Sequence, residues 1–487
     1  MSDKKEKNLL EHLNQHQMKS RRDFLSQGML AGLSYVFVPS VLSMLHSNLS
    51  YALECGSSTQ MTSNRIPILI IDLAGGGNIP GSNIMVGKAG GQLDFINSYE
   101  SLGLPSSMHP RNAAQTNNEM GLVFHADSAL LMGMRQTASV NTRAKTDGGI
   151  FCAISNDDTG NNPHNPSYWL AKAGATGELA TLAGTTNSES GGNSAIPMDS
   201  KIATMRPVII NRPQDALSLV NIGRLGTLFG TDKSEKIIKS IEKLSESKIR
   251  QLSNKSLPDQ IKDLMSCGYI QSKDILTKFS TTNIDASMDA QVRTTFNDLN
   301  NGNQRKFATM AKLILDGYIG VGTVEMGGFD YHTNERATGE ARDLELGNLI
   351  GRVLELASLK RKNIMIYVFT DGGVSASGAV DESVGGRGKI PWAGDSSSRS
   401  SSAMFIYRDA GRAQLRRANR RQIGHFNDNG GVVSNANLIS NSVTNLSKAV
   451  VANYLALSGD EGKLVNVVGD NIFGGSIDDY LFFNKII

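Results

Sequence analysis

Residues 318–373 constrain the fold most, because the hydropathy pattern changes period twice inside them. Residues 318–326, Tyr-Ile-Gly-Val-Gly-Thr-Val-Glu-Met, are a short apolar and β-branched run that predicts a strand. The loop Gly-Gly-Phe-Asp-Tyr-His follows at 327–332. Residues 335–359 are helical in composition. Leu346, Leu349, Ile350, Val353 and Ala357 recur at helical spacing and would share one apolar face. Residues 363–370, Asn-Ile-Met-Ile-Tyr-Val-Phe-Thr, are almost continuously apolar, which predicts a strand buried on both faces. Strand, helix and strand joined by a long crossover form the βαβ unit of a parallel sheet. The ligand crevice of such a sheet lies at the carboxyl ends of its strands. Asp330, His332 and Asp371 stand at such ends, on glycine-rich loops. Carboxylate and imidazole together suit zinc, manganese or iron. Asp and Gly are equally the residues of ordinary turns after strands.

The rest of the chain supplies further strands. Residues 65–73, Arg-Ile-Pro-Ile-Leu-Ile-Ile-Asp-Leu, read as the central one, with strands near 66–72, 207–211 and 403–407 completing a predominantly parallel sheet. The first opens into Ala74-Gly-Gly-Gly-Asn78, which can turn tightly and let a ligand approach the backbone. It is not the GxGxxG dinucleotide fingerprint. Asp72 lies inside the apolar run and either faces a site or is a paired structural carboxylate. Residues 121–125 and 129–133 read as a short strand and turn, and 146–150 as the opening of a polar loop that continues over 155–164. A helix is expected to start near Pro166, with Asn165 as its cap. Thr159 or Ser155 is then either a nucleophile near that helix start or part of a capping and turn loop. Residues 214–299 read as a lysine-rich helical insertion, followed by helices near 303–315 and 442–457.

The amino terminus carries the most specific motif. Ser20-Arg-Arg-Asp-Phe-Leu25 fits the twin-arginine export pattern, with Arg21 and Arg22 as the pair. A moderately apolar stretch runs over 28–45, and Ser50-Tyr51-Ala52 fits a small-residue cleavage site. Residues 1–52 therefore read as an export peptide and 53–487 as the mature α/β domain. An uncleaved anchor is the other reading, which Pro39, Ser34 and Ser40 weaken. The expected partner is the twin-arginine translocase, with transient membrane contact through the signal peptide and a periplasmic or cell-surface destination. The formal net charge is +3, and residues 1–52 hold six Lys/Arg against four Asp/Glu, so the remainder stands near +1. A near-neutral domain gives no bulk electrostatic reason to bind nucleic acid. Arg408, Arg412, Arg416, Arg417, Arg420 and Arg421 form a local cluster, read as a solvated loop or helix face or a contact for an anionic partner. The three cysteines, Cys55, Cys152 and Cys267, have no metal-like spacing, and their pairing cannot be read from sequence.

The order of these elements (twin-arginine leader, apolar strand into a glycine-rich loop, Gly-Gly-Phe-Asp-x-His, apolar strand ending in an acid) resembles the exported bacterial family catalogued as domain of unknown function 1501. That family is placed in the alkaline-phosphatase-like superfamily. The resemblance covers most of residues 66–430. It implies a doubly wound, mostly parallel α/β sheet holding one or two divalent metals, in a superfamily that hydrolyses phosphate or sulfate esters. Gly328-Phe-Asp-Tyr-His332 matches the family's Gly-Phe-Asp-Thr-His. Asn78 stands where the family has Asp, which implies a substrate-facing position. Asp371 replaces a Glu whose following Arg is gone. Gly394-Asp395-Ser396 matches Gly-x-Asp-His without the His. The metal ligands implied are Asp330, His332, Asp371 and Asp395, with Asp72 as a spare. Neutral Asn and Ser are poorer ligands for a zinc-type ion.

Two functions from different classes follow. One is a degenerate, non-catalytic envelope or surface module with a divalent metal (zinc, manganese or calcium) at low occupancy. The other is a metal-dependent phosphate or sulfate ester hydrolase with water or Thr159 as nucleophile. A nucleotide-binding module rests on the glycine-rich loops alone.

Overall fold

Six consecutive residues of strand β1, Ile68–Leu73, are fully buried, so both faces of the strand need cover. In this computed structural model, residues 65–112, 114–155, 164–186, 207–219 and 281–487 are described. All belong to one of two units, 59–219 with 281–487. The export peptide, Thr159, Cys55, Cys267 and most of the helical insertion (220–280) lie outside the described residues.

The other strands are β2 (Thr116–Asn117), β3 (Phe124–His125), β4 (Thr146–Phe151), β5 (Ala180–Gly184), β6 (Val208–Ile209), β7 (Ile319–Met326), β8 (Ile364–Thr370), β9 (Val374–Ala376), β10 (Trp392–Asp395), β11 (Ser402–Tyr407) and β12 (Gln422–Ile423). Eight of them form one sheet in the order β12-β4-β11-β8-β1-β7-β5-β6. β1 pairs in parallel with both β7 and β8, which places it at the centre as its composition predicts. Only β11 runs against the rest, antiparallel to β8 and to β4. The architecture is thus mixed α/β on a mostly parallel sheet.

Side chains alternate across a strand, so the register assigns the two covers. Ile68 and Ile70 join a cluster with Phe369, Met404, Leu446 and Val450, which brings helix Val443–Ala456 and the C-terminal tail onto one face. Leu69 lies beside Gly322 of β7, and a side chain at Gly322 would strike Met310 and Ile314. Helix α1 (Gly302–Leu315) therefore covers the opposite face. Helix α2 (Ala337–Leu359) is the crossover between β7 and β8.

Two local readings are corrected and a third is refined. Residues 146–150 form β4, not a polar loop. Gly149 leaves room for Phe482, whose ring a Cβ would meet at 2.4 Å, and Gly148 leaves room for Leu122. The glycines thus mark packing rather than a turn. Residues 129–133 start helix Ala129–Thr137, capped by Ser128 Oγ accepting from Leu131 N at 3.1 Å. Gly133 lets that helix approach the backbone of α2 at Leu344 and Asn348. The arginine cluster lies in a loop with Arg417 exposed, but most of its side chains are spent on partners within the fold. Arg421 grips the buried Asp147 through Nε and Nη2 at 2.7 and 2.8 Å. Arg416 bonds Glu461 and Asp478, Arg417 pairs with Asp479, Arg420 bonds the Leu481 carbonyl and Arg412 that of Ala144. Four of these six arginines thus fasten the chain's end or the adjacent β4.

Among the described residues no helix is long and apolar enough to cross a membrane. Cys152 is buried and free.

Candidate metal centre

The carboxyl ends of β7, β1 and β8 lie side by side. Leu73 is in register with Met326 on one side and Thr370 on the other. Three loops leave this edge: 74–78, 327–332 and 371–373. Gly75 and Gly76 take φ of +106° and +99°, conformations that L side chains rarely adopt. A Cβ on Gly75 would lie 2.6 Å from Asp330 N, so the loop after β7 rests directly on that glycine's backbone.

In the loop after β7, burial alternates. Phe329 and Tyr331 point inward, and Asp330 and His332 face solvent. Phe329 N donates to Ala74 O at 3.2 Å. Tyr331 Oη accepts from Asn78 N at 2.6 Å and donates to Asp343 Oδ1 at 3.2 Å. Beneath it Trp392 lies over Tyr331, with ring centroids 6.2 Å apart. Asn334 N donates to Trp392 O, and Trp392 N to Glu335 O. These bonds bring β10 alongside the loop, and β10 ends at Asp395.

The result is a cluster of Asp330, His332 and Asp395 whose ligand atoms all lie within 4.8 Å of one another. His332 Nε2 is 2.6 Å from Asp330 Oδ1 and 3.3 Å from Asp395 Oδ1. One imidazole nitrogen facing two carboxylate oxygens is a donor set that suits zinc or manganese, with the exposed side left to water, whereas calcium would use the carboxylates alone. Asp395, implied only by the family resemblance, completes the group. Asp371, expected there from its strand end, is not in it. Its carboxylate turns to the glycine-rich loop, with Oδ1 accepting from Gly75 N at 2.8 Å.

Asp72 is wholly buried, and neither oxygen has a hydrogen-bond partner. Burial first, then Asp371 and Glu325 beside it, hold its pKa well above the usual carboxylate range. No cation of the described residues pairs with it, so it is not a paired structural carboxylate. Asn78 is buried inside its own loop, with its side-chain nitrogen on Ser82 Oγ and its backbone carbonyl accepting from Asn83 Nδ2 at 2.7 Å, while its side-chain oxygen has no hydrogen-bond partner. This geometry makes Asn78 a loop brace instead of the expected substrate contact.

Ser155 does not have the geometry of an activated nucleophile. Its Oγ proton goes to Thr370 O at 2.8 Å, so His164 Nε2, 2.9 Å away, must be the donor to Ser155 Oγ. A base would have to accept that proton instead. His164 stacks on Phe369 and is fully buried, which pushes its imidazole down to about 3. A histidine whose folded pKa is depressed contributes stability that is whole above its unfolded value near 6.5. That contribution is lost as pH falls towards 3. We expect the His164 imidazole resonances not to titrate between pH 8 and pH 5; a midpoint near 6.5 in the native protein would contradict the buried neutral tautomer.

Residues that sequence reasoning did not single out support the site from below. Arg336, fully buried, donates through Nε and Nη2 to Glu340 Oε1 at 2.9 and 2.7 Å, and its guanidinium lies 4.2 Å from the Trp392 ring centre. Lys389, also fully buried, bonds both Glu340 oxygens at 2.9 and 2.8 Å. Arg336 and Glu340 are four apart at a helix start, a spacing that could have flagged them. Asp343, packed against Asn83 and Tyr331, is pushed up to about 7 by burial and by Glu340. A scan against protein-family models and a search of curated proteins gave no match to this chain.

Proposed function

We propose that the protein is an exported, alkaline-phosphatase-like module that binds one divalent cation at Asp330, His332 and Asp395 and turns over no ester. The convergence of those three ligand atoms within 4.8 Å carries the reading. A binuclear hydrolase holds two metals roughly 4 Å apart, each with about three protein ligands. Here Asp371 accepts from Gly75 N and Asp72 is buried within β1, and the described residues gather one mixed nitrogen and oxygen set. The exposure of both carboxylates, 67% for Asp330 and 74% for Asp395, favours weak occupancy. Export rests on Arg21 and Arg22, and the envelope or cell surface follows from that route.

The test is mature protein titrated with zinc, manganese and calcium, then assayed on generic phosphate and sulfate esters. The expected result is one equivalent of metal, an affinity loss of about 100-fold or more in Asp330→Ala and in His332→Ala, and no metal-dependent turnover. Turnover abolished by both substitutions would establish the hydrolase instead. Replacing Arg21 and Arg22 by Lys should leave the precursor in the cytoplasm, and normal export of that variant would remove the envelope assignment.

A further inference from the structure

We propose that Asp343 is a proton switch for the metal centre, holding the seat of Asp330 and His332 through Tyr331 when its carboxyl is ionised; the inference rests on the cation site proposed above. Asp343 is a buried residue of α2. Two donors converge on it: Asn83 Nδ2 reaches Oδ2 at 2.7 Å and Tyr331 Oη reaches Oδ1 at 3.2 Å. Backbone groups fix both. Asn83 Oδ1 accepts from Leu130 N at 3.1 Å, so the amide nitrogen of Asn83 must face Asp343. Tyr331 Oη accepts from Asn78 N at 2.6 Å, and burial with Asp343 nearby keeps the phenol protonated, so its proton points to Asp343.

The arrangement offers two donors to a carboxylate but no counter-ion. Arg336 and Lys389 are spent on Glu340, one turn earlier in α2, and among the described residues no cation lies within ion-pair distance of Asp343. The charges around it oppose one another. Glu340 repels an ionised Asp343, while Arg336 and Lys389 attract it from farther off. The loop after β7 brings Tyr331, and the loop after β1 brings the neutral Asn83. Asp127, just before helix Ala129–Thr137, is held by Arg387 at 3.2 Å. Burial leads this balance and pushes Asp343 up to about 7, so its proton exchanges near neutral pH. Ionised, Asp343 accepts from both donors. Protonated, it must turn its own hydrogen towards Tyr331 Oη, because Asn83 occupies Oδ2. The phenol hydrogen then loses its partner inside the protein. Tyr331 stands between Asp330 and His332, and its packing against Phe329 and Trp392 leaves those two side chains facing solvent. A cation on them and a negative charge on Asp343 also favour each other electrostatically. Metal affinity should therefore rise as Asp343 ionises, and metal binding should in turn lower the Asp343 pKa.

The probes are protons and manganese on mature protein. In metal-free wild type, the carboxyl NMR resonance that is missing from Asp343→Asn should titrate between about pH 6 and pH 8, and higher in Tyr331→Phe, which removes a donor to the carboxylate. A midpoint below about pH 5 overturns the proposal. From pH 6 to pH 8 the manganese affinity of wild type should rise at least about fivefold more than that of Asp343→Asn. The new amide keeps an acceptor for Asn83 and turns a donor to Tyr331 Oη, as the protonated acid does. Loss of a proton from His332 adds the same pH dependence to both proteins. Tyr331→Phe should lose the extra pH dependence too, and adding Asp343→Asn to it should change manganese affinity by no more than about twofold. Equal pH dependence in wild type and in either folded variant overturns the proposal. Failure of the wild type to bind manganese at any pH overturns the cation reading instead. The switch is then judged on metal-free protein at pH 8. Faster amide exchange over residues 329–332 in Asp343→Asn than in wild type supports it, and equal exchange overturns it.

Discussion

Glu340→Ala is expected to destabilise the protein by about 3–5 kcal/mol, because it strips buried Arg336 of its carboxylate and leaves buried Lys389 only the longer contact to Asp127. Arg336 and Lys389 have no exposed surface, and Glu340 accepts four of their hydrogen bonds. Burial alone would raise the Glu340 pKa, yet Arg336 and Lys389 outweigh it and hold the carboxyl below its usual range. Glu340→Gln keeps the volume and removes the charge, so it should retain most of the loss if electrostatics dominate. Apolar replacement of all three groups should recover much of it, since a buried ion network seldom outperforms well-packed apolar side chains. Chemical denaturation of the four proteins reads these differences. A Glu340→Ala loss under about 1 kcal/mol would mean that water reaches the site and solvates the cations. The same variant should weaken metal binding, because Arg336 stacks on the Trp392 whose strand delivers Asp395.

Gly75→Ala is the second substitution with a large expected effect, and Gly76→Ala is its control. Both glycines hold positive φ, so both variants incur backbone strain of about 1–3 kcal/mol. They differ in what the new methyl group meets. At Gly76 it lies 3.4 Å from the backbone of Gly372 and Gly373, an ordinary contact. At Gly75 it lies 2.6 Å from Asp330 N and 2.7 Å from Asp330 Cβ, so the loop carrying Asp330 and His332 must move. Metal affinity should therefore fall at least about tenfold further in Gly75→Ala than in Gly76→Ala, given the tolerance of a preorganised site of about half an ångström. Equal affinities in the two variants would separate Gly75 from the site.

The centre of the fold was legible because its physics is local. β1, β7 and β8 are long apolar runs, and α2 repeats its apolar residues at helical spacing. What escaped depends on partners distant in sequence. β4 holds Asp147, Gly148 and Gly149, which in isolation describe a turn. They make a strand because Arg421 neutralises the acid and Phe482 fills the space over the second glycine. β5, Ala-Thr-Leu-Ala-Gly, has too little apolar bulk to announce itself and is held by its pairing with β7. The apolar start of helix Ala129–Thr137 is too short for its period to separate helix from strand. In the site, the alternation of Phe329, Asp330, Tyr331 and His332 already placed the acid and the imidazole on one face. The choice of Asp395 over Asp371 did not follow from strand order. It depends on the small β9–β10 pairing and on a hydrogen bond from Gly75 that turns Asp371 aside.

The seating of Phe482 against Gly149 also sets the timing of folding. β4 acquires its neighbours β11 and β12 only after some 250 further residues, and the ring that covers it stands five residues from the end of the chain. A nascent chain therefore carries β4 with an open glycine face until Phe482 has been made and can reach it. Contacts this remote in sequence make closure slow.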